Sequence, residues 1–185
     1  MGLMVVQLIY ETHSRTTDNE LGIATGWLPG ELSTTGRCFA LELGRRWQHT
    51  DLAAVYVSDL RRAIQTAEIA FAPRSVRVIR DRRLRECNYG ALNGMPVARL
   101  EAERARHIHT PYLDGQSYAQ VVDQTRSFLR EVTLRHQDQT ILLIAHSANR
   151  WALQCLLEGK TLEALVDAPF DWQPGWRFTL PDVWS

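Results

Sequence analysis

Lysine is almost absent from this chain: of its 21 basic residues only Lys160 is lysine, and the rest are arginine. Two readings of that bias stay open, a genome-wide preference or the fitness of arginine's planar fork for anionic ligands. An excess of either charge sign is also lacking, since 21 Asp and Glu balance the bases. A dedicated nucleic-acid binder is therefore not expected, because such proteins need surplus cations to neutralise phosphates. Cysteine is scarce, odd in number and dispersed (Cys38, Cys87, Cys155). That excludes an evident disulfide framework or zinc motif and fits a reducing, cytoplasmic setting. No apolar run approaches the ~20 residues of a membrane span, so no membrane partner is expected. The opening M-G-L-M-V-V-Q-L has no basic n-region or small-residue cleavage site and reads as a first strand. Val6 breaks the myristoylation pattern after Gly2.

What the sequence does contain is an ordinary globular balance, 45% apolar and 23% charged over 185 residues, enough for one domain, residues 1–185, with a real core. Leu3 to Tyr10 reads as strand one. Thr34 to Trp47, with Phe39, Ala40, Leu43 and Trp47 at helical spacing, reads as a helix. Ala53 to Val57 is a strand, and Ser58-Asp59 offers an N-cap for a helix from Leu60 to Phe71. A short strand is expected at Val76 to Ile79, then a charged loop from Arg80 to Gly94 and a helical stretch from Ala98 to His107. Tyr118 to His136 is an amphipathic helix, Thr140 to Ala145 an apolar strand suited to the sheet centre, and Ala148 to Leu157 a helix. Strands alternating with helices predict a three-layer α/β/α sandwich around a mostly parallel sheet. There is no repeat, linker or low-complexity segment.

Two histidines stand directly after strand-like runs. His13 follows Leu8-Ile9-Tyr10 in Y-E-T-H-S, and His146 follows Ile141 to Ala145. Open α/β sheets place ligands at the carboxyl ends of their strands, so two such residues can converge on one crevice.

Four segments in order carry more: Thr12-His13-Ser14 with Asn19, S-D-L-R-R-A-I-Q-T-A from Ser58, L-R-E-C-N-Y-G from Leu84, and A-H-S from Ala145. Together they resemble the histidine phosphatase superfamily, in its phosphoglycerate-mutase-like branch. Gly26 to Gly36 looks like the family's segment after the catalytic histidine, and Gly115-Gln116-Ser117 with Arg126 like its G-E-S…R stretch. The resemblance implies that His13 takes the phosphoryl group, Arg62 and Asn19 hold the phosphate, His146 completes the pocket and Glu86 is general acid. It implies a phosphohistidine intermediate and no cofactor or metal, the donors acting through charge and hydrogen bonds at the equatorial oxygens. The chain departs from the family at Thr12 and Ser14, where arginine and glycine are usual, and again at Ser147. Arg15 is a candidate replacement cation. Thr16, Ser14 and Ser147 are candidate phosphate neighbours, and Arg150 is a further cation nearby.

The expected function is hydrolysis of a small phosphomonoester. Phosphoglycerate-mutase-type transfer and a repurposed ligand-binding pocket are the alternatives, and a metal hydrolase built on His13, His107, His109 and His146 is a third. In an extended segment His107 and His109 share one side and invite either a metal or a place at the substrate entrance. Cys87 reads as a small buried apolar side chain. Phe170, Trp172, Trp176, Phe178 and Trp184 crowd the carboxyl end; packing over the sheet, an aromatic substrate wall or a homodimer contact all suit them.

Overall fold

A computed structural model of the chain describes residues 5–169 and 171–181. Its elements in order are β1 (Val6–Thr12), α1 (Thr17–Glu20), β2 (Ile23–Ala24), α2 (Thr34–Arg46), β3 (Ala54–Ser58), α3 (Arg61–Phe71), β4 (Val78–Asp81), β5 (Met95–Pro96), α4 (Val97–Glu103), α5 (Tyr118–Arg135), β6 (Thr140–Ala145), α6 (Ser147–Glu158), α7 (Leu162–Val166) and β7 (Trp176–Leu180). The main sheet has the order β4-β3-β6-β1-β7. Its first four strands are parallel, and β7 joins the edge antiparallel to β1.

The pleat sorts the apolar residues. Leu8, Tyr10, Tyr56, Ile141 and Leu143 face Phe128, Leu129 and Val132 of α5 and Leu153 of α6. Ile9, Val55, Val57, Leu142 and Ile144, one residue out of step, face Leu43 and Trp47 and the alanine stripe of α3. Strands buried on both faces need apolar residues at every position, which is why β3 and β6 read as continuous runs. The expected three-layer α/β sandwich is therefore what forms. A third apolar body, around Tyr89, Tyr112, Tyr118 and Trp151, packs the 87–118 excursion against α5 and α6.

Several expected boundaries move. The first strand runs on to Thr12, while Leu3 and Met4 lie outside the described residues. The edge strand is Val78–Asp81 rather than Val76 to Ile79; Val78 is exposed there, so burial did not pin the register. The residue that caps α3 is Leu60, with no side-chain cap, not Ser58-Asp59. Ser58 is drawn into the site and Asp59 pairs with Arg85 in a two-point ion pair (2.7 Å each). The charged loop contains two short 3-10 turns, and the segment after α4 tightens into another at Arg104–His107. Ser117 caps α5 through a reciprocal pair with Gln120. The terminal aromatics do not merely lie over the sheet: Trp176 and Phe178 belong to β7, whose alternating burial was readable in W-R-F-T-L. Phe170 and Trp184 fall outside the described residues.

Helices α2 and α3 pack closely because Gly44 presents no side chain: a Cβ there would collide with the carbonyl oxygen of Ala70. Gly44→Ala is expected to lower stability by about 1–3 kcal/mol through this overpacking, measured as a lower urea midpoint at unchanged slope.

Candidate active site

The carboxyl ends of β1, β3 and β6 meet at the site. The His13 N–H extends the β1–β6 ladder by donating to the Ala145 carbonyl (3.0 Å). Its ring Nδ1 lies 2.8 Å from the Ser14 carbonyl oxygen, which can only accept, so the ring proton belongs on Nδ1. Nε2 then carries the lone pair, and it receives the Arg62 Nε–H at 3.3 Å. Burial, reinforced by the Arg62 charge, lowers the His13 pKa to about 3. The imidazole is neutral at physiological pH, the form a nucleophile requires.

Arg62 sits in the first turn of α3 and is buried. Its Nη2 donates to the Gly26 carbonyl (2.9 Å), while Nη1 is buried without a hydrogen-bond partner. Gly26 has a φ of +56°, and a Cβ there would strike the Asn93 amide, so glycine is what turns that carbonyl towards the guanidinium. Thr66, one turn on, accepts the Ser14 N–H (2.9 Å) and donates to the Arg62 carbonyl (2.8 Å), tying α3 to the loop after His13.

His146 is fully buried at the start of α6, its ring centroid 5.0 Å from that of His13. The Tyr10 hydroxyl donates to its carbonyl (2.6 Å). Its Nε2 lies 2.8 Å from Ser58 Oγ, which also accepts the Leu60 N–H (3.3 Å). His146 Nδ1 is buried without a hydrogen-bond partner. Burial, then the nearby Arg62, pushes the His146 pKa well down.

Glu86 is buried, and burial raises its pKa against the pull of the Cys87 N–H, Arg62 and the Ala148 N–H. Its Oε1 accepts the Cys87 N–H (2.8 Å). The Trp27 indole donates to its carbonyl (2.6 Å), and Arg85 lies over the Trp27 ring at 4.6 Å. Cys87 is fully buried with its thiol pushed up by burial, as an inert packing residue should be.

A cleft of about 1040 Å³ opens over these groups. It brings together His13, Ser14, Arg15, Asn19, His146 and Ser147 on its wall. Arg62 and Glu86 do not line it; Arg62 touches the wall through His13. Thr16 is fully buried and caps α1: its hydroxyl accepts the Asn19 N–H, and Asn19 Oδ1 accepts the Thr16 N–H (3.0 Å each). That leaves the Asn19 amide nitrogen for the cleft. Arg150 stacks over Trp176 at 5.3 Å, and Arg126 faces Asp123 at 3.9 Å.

His107 and His109 do not reach this wall. The 3-10 turn separates them: His107 stacks on Tyr112 (centroids 3.7 Å apart), and His109 lies 3.5 Å from Glu163. Among the described residues no three His, Cys, Asp or Glu side chains group as metal ligands. No helix among them is long and apolar enough to cross a membrane. Ser58, Trp27, Gly26 and the buried Glu11 were not singled out from sequence for the site. Ser58, and Gly26 and Trp27 in the Gly26 to Gly36 segment, stand inside recognisable motifs.

Residues 12–172 fit the pattern of the histidine phosphatase superfamily (branch 1). The chain belongs to that superfamily. It is 31% identical over 167 residues to phosphoserine phosphatase 1 of Hydrogenobacter thermophilus, covering 85% of this chain and 79% of that one. It is also 31% identical over 179 residues to a 2,3-bisphosphoglycerate-dependent phosphoglycerate mutase of Rhodococcus opacus, covering 87% and 71%. Bacillus stearothermophilus YhfR superposes with a TM-score of 0.80 at 25% identity, covering 91% of this chain and 88% of that one. Mycobacterial glucosyl-3-phosphoglycerate phosphatase shares the fold at a TM-score of 0.73, 24% identity and coverage of 88% and 86%. Phosphatases and phosphoryl-transfer enzymes acting on small phosphorylated compounds thus surround the chain within the superfamily.

The depressed His13 pKa fixes how stability depends on pH. Between about pH 6.5 and 3 the unfolded chain binds a proton at residue 13 that the folded chain refuses, so stability falls as pH falls through that window. His13→Asn is expected to flatten the decline without abolishing it, because His146 is depressed in the same direction. Urea midpoints taken from about pH 7 down to pH 4 measure the two slopes.

Proposed function

We propose that this chain hydrolyses a small phosphomonoester through a phosphohistidine on His13. The observation that carries the reading is the neutral ring whose Nε2 lone pair is held towards the site by the Nδ1 contact to Ser14 and the Arg62 guanidinium. Nε2 attacks phosphorus in line, the P–N bond forms, and the P–O bond to the alcohol breaks. Glu86, kept protonated longer than an exposed carboxylate, gives its proton to the departing oxygen. As a carboxylate it then takes a proton from water, whose oxygen attacks phosphorus, breaks the P–N bond and releases inorganic phosphate. The unpartnered Arg62 Nη1 and the side-chain amide of Asn19 supply donors for the equatorial oxygens, with His146 beside them.

Thr12 leaves the cleft one cation short of the family pattern, and Arg15 is the residue that makes it good. Of the cleft arginines, Arg46 pairs with Glu11 (2.7 Å) and Arg104 lies 3.6 Å from Glu101, whereas Arg15 has no carboxylate partner among the described residues. Its guanidinium rests over Phe39 at 5.7 Å, two positions along the chain from the nucleophile. Ser14 and Ser147 border the same pocket as hydroxyl donors.

His13→Ala is expected to abolish phosphate release. Glu86→Gln is expected to lower kcat by about 10²–10⁴ on alkyl esters and far less on p-nitrophenyl phosphate, whose leaving group needs no proton. Equal losses on both ester classes would remove Glu86 from the acid role. Arg15→Ala is expected to weaken inhibition by vanadate on the order of 10²-fold; unchanged inhibition would return the missing charge to another residue. Assaying 3-phosphoglycerate for isomerisation alongside phosphate release separates hydrolysis from mutase transfer.

A further inference from the structure

Only two of the large apolar side chains exposed among the described residues are aromatic, Phe39 and Trp172, and both line the cleft that contains His13. The other exposed large apolar residues (Leu21, Leu28, Leu41, Val78, Leu113 and Leu134) are aliphatic and not part of its wall. Phe39, Leu43 and Arg46 are spaced four and three residues apart on α2, so they form one stripe along the cleft. From Phe39 to Arg46 the helix rises about 10 Å. The near end of the stripe is anchored at the reacting centre, because the Ser33 N–H at the start of α2 donates to the Arg15 carbonyl (3.1 Å). The far end meets Trp172, over whose ring the Arg46 guanidinium lies at 5.5 Å. Arg46 is itself fixed by Glu11 in the cleft floor. An aromatic pair left half in water beside a phosphoryl site, each ring with a cation over one face, is a stacking surface for a flat π-system.

We propose that the α2–Trp172 arm is a leaving-group subsite for phosphomonoesters whose alcohol half ends in a planar aromatic heterocycle, as in a nucleoside 5′-monophosphate. This rests on the reading of His13 as the phosphoryl-accepting residue. With the phosphoryl group at His13, the alcohol runs along the stripe and its ring stacks at Phe39 and Trp172. When Arg15 turns to the phosphoryl oxygens it vacates the face of Phe39, so phosphate and ring capture are coupled. Glu42, which also lines this arm and has no ion-pair partner among the described residues, can accept N–H groups from the heterocycle edge.

A matched pair of substrates isolates the ring: adenosine 5′-monophosphate and ribose 5-phosphate carry the same phosphate on the same sugar. The expected kcat/KM ratio favours the nucleotide by about tenfold or more, the scale of one base stacked on an aromatic side chain. The ratio is expected to fall towards one in Phe39→Ala and in Trp172→Ala and to recover in Trp172→Phe. Equal kcat/KM values in the wild type, or a preference that survives both alanine variants, would overturn the subsite. If neither ester is hydrolysed, release of phosphate from p-nitrophenyl phosphate tests the hydrolase reading separately, and equilibrium dialysis of both compounds against His13→Ala decides the subsite. Tighter binding of the nucleotide that is lost in the Trp172→Ala double variant supports it, and equal affinities refute it.

Discussion

The parallel pairing of β1 with β6 is the constraint on which the site depends. Its register sets Thr12 opposite Ala145, and the next hydrogen bond of the ladder is made by His13 itself. Two histidines more than a hundred residues apart thereby leave adjacent strands at the same level, with ring centroids 5.0 Å apart. A slip of one residue would turn every side chain of β1 to the other face, and His13 would leave the side on which α3 delivers Arg62. Burial of Leu8, Tyr10 and Ile9 on opposite faces is what forbids that slip. The apolar core therefore positions the two histidines, and Tyr10 and Ala145 within it bond directly to them.

Desolvation then sets the charges. Arg62 is a buried guanidinium, and the two imidazoles beside it are driven neutral first by burial and second by that charge. Glu86 is driven the other way, towards its protonated form, by the same loss of water. One low-dielectric pocket thus favours the neutral form of both imidazoles and raises the pKa of the Glu86 carboxyl. The two shifts are of opposite chemical sense, which is the separation the proposed acid and nucleophile need.

How much of this could be read from the residues follows from where the information lies. His13, His146 and the helix bearing Arg62 announce themselves because an apolar run followed by a polar residue is a local pattern. The central strands were legible for the same reason, since burial on both faces makes them apolar throughout. β4 lies two residues beyond the segment its sequence suggests and takes in Arg80 and Asp81 from the charged loop, because an exposed edge strand has no burial pattern to fix it. β7 was missed although W-R-F-T-L alternates, because five residues rich in tryptophan also look like a packed tail. Trp27, Gly26 and Ser58 matter only through contacts with residues 59, 36 and 88 positions away. Their segments resemble the family's, but nothing local marks which residue is the partner. The superfamily resemblance supplied Glu86, which by itself is one carboxylate in a charged loop.

Glu11 shows where this chain has diverged from a simpler strand end. A carboxylate on the buried face of β1, two residues before the nucleophile, is costly unless paired and hydrogen-bonded. Arg46 and the Trp47 indole both donate to its Oε1 at 2.7 Å, and burial still raises its pKa. A core position would be served as well by valine, so the pair is poorly explained by stability. What it does fix is the guanidinium of Arg46, which would otherwise be a mobile side chain at the end of α2. Held there, it neutralises Glu11 and faces Trp172 across the cleft. Thr12 brings no charge beside His13, while a built and locally neutral wall stands one step along the same strand. In the proposed reading, that wall contacts what the phosphate is attached to rather than the phosphate itself.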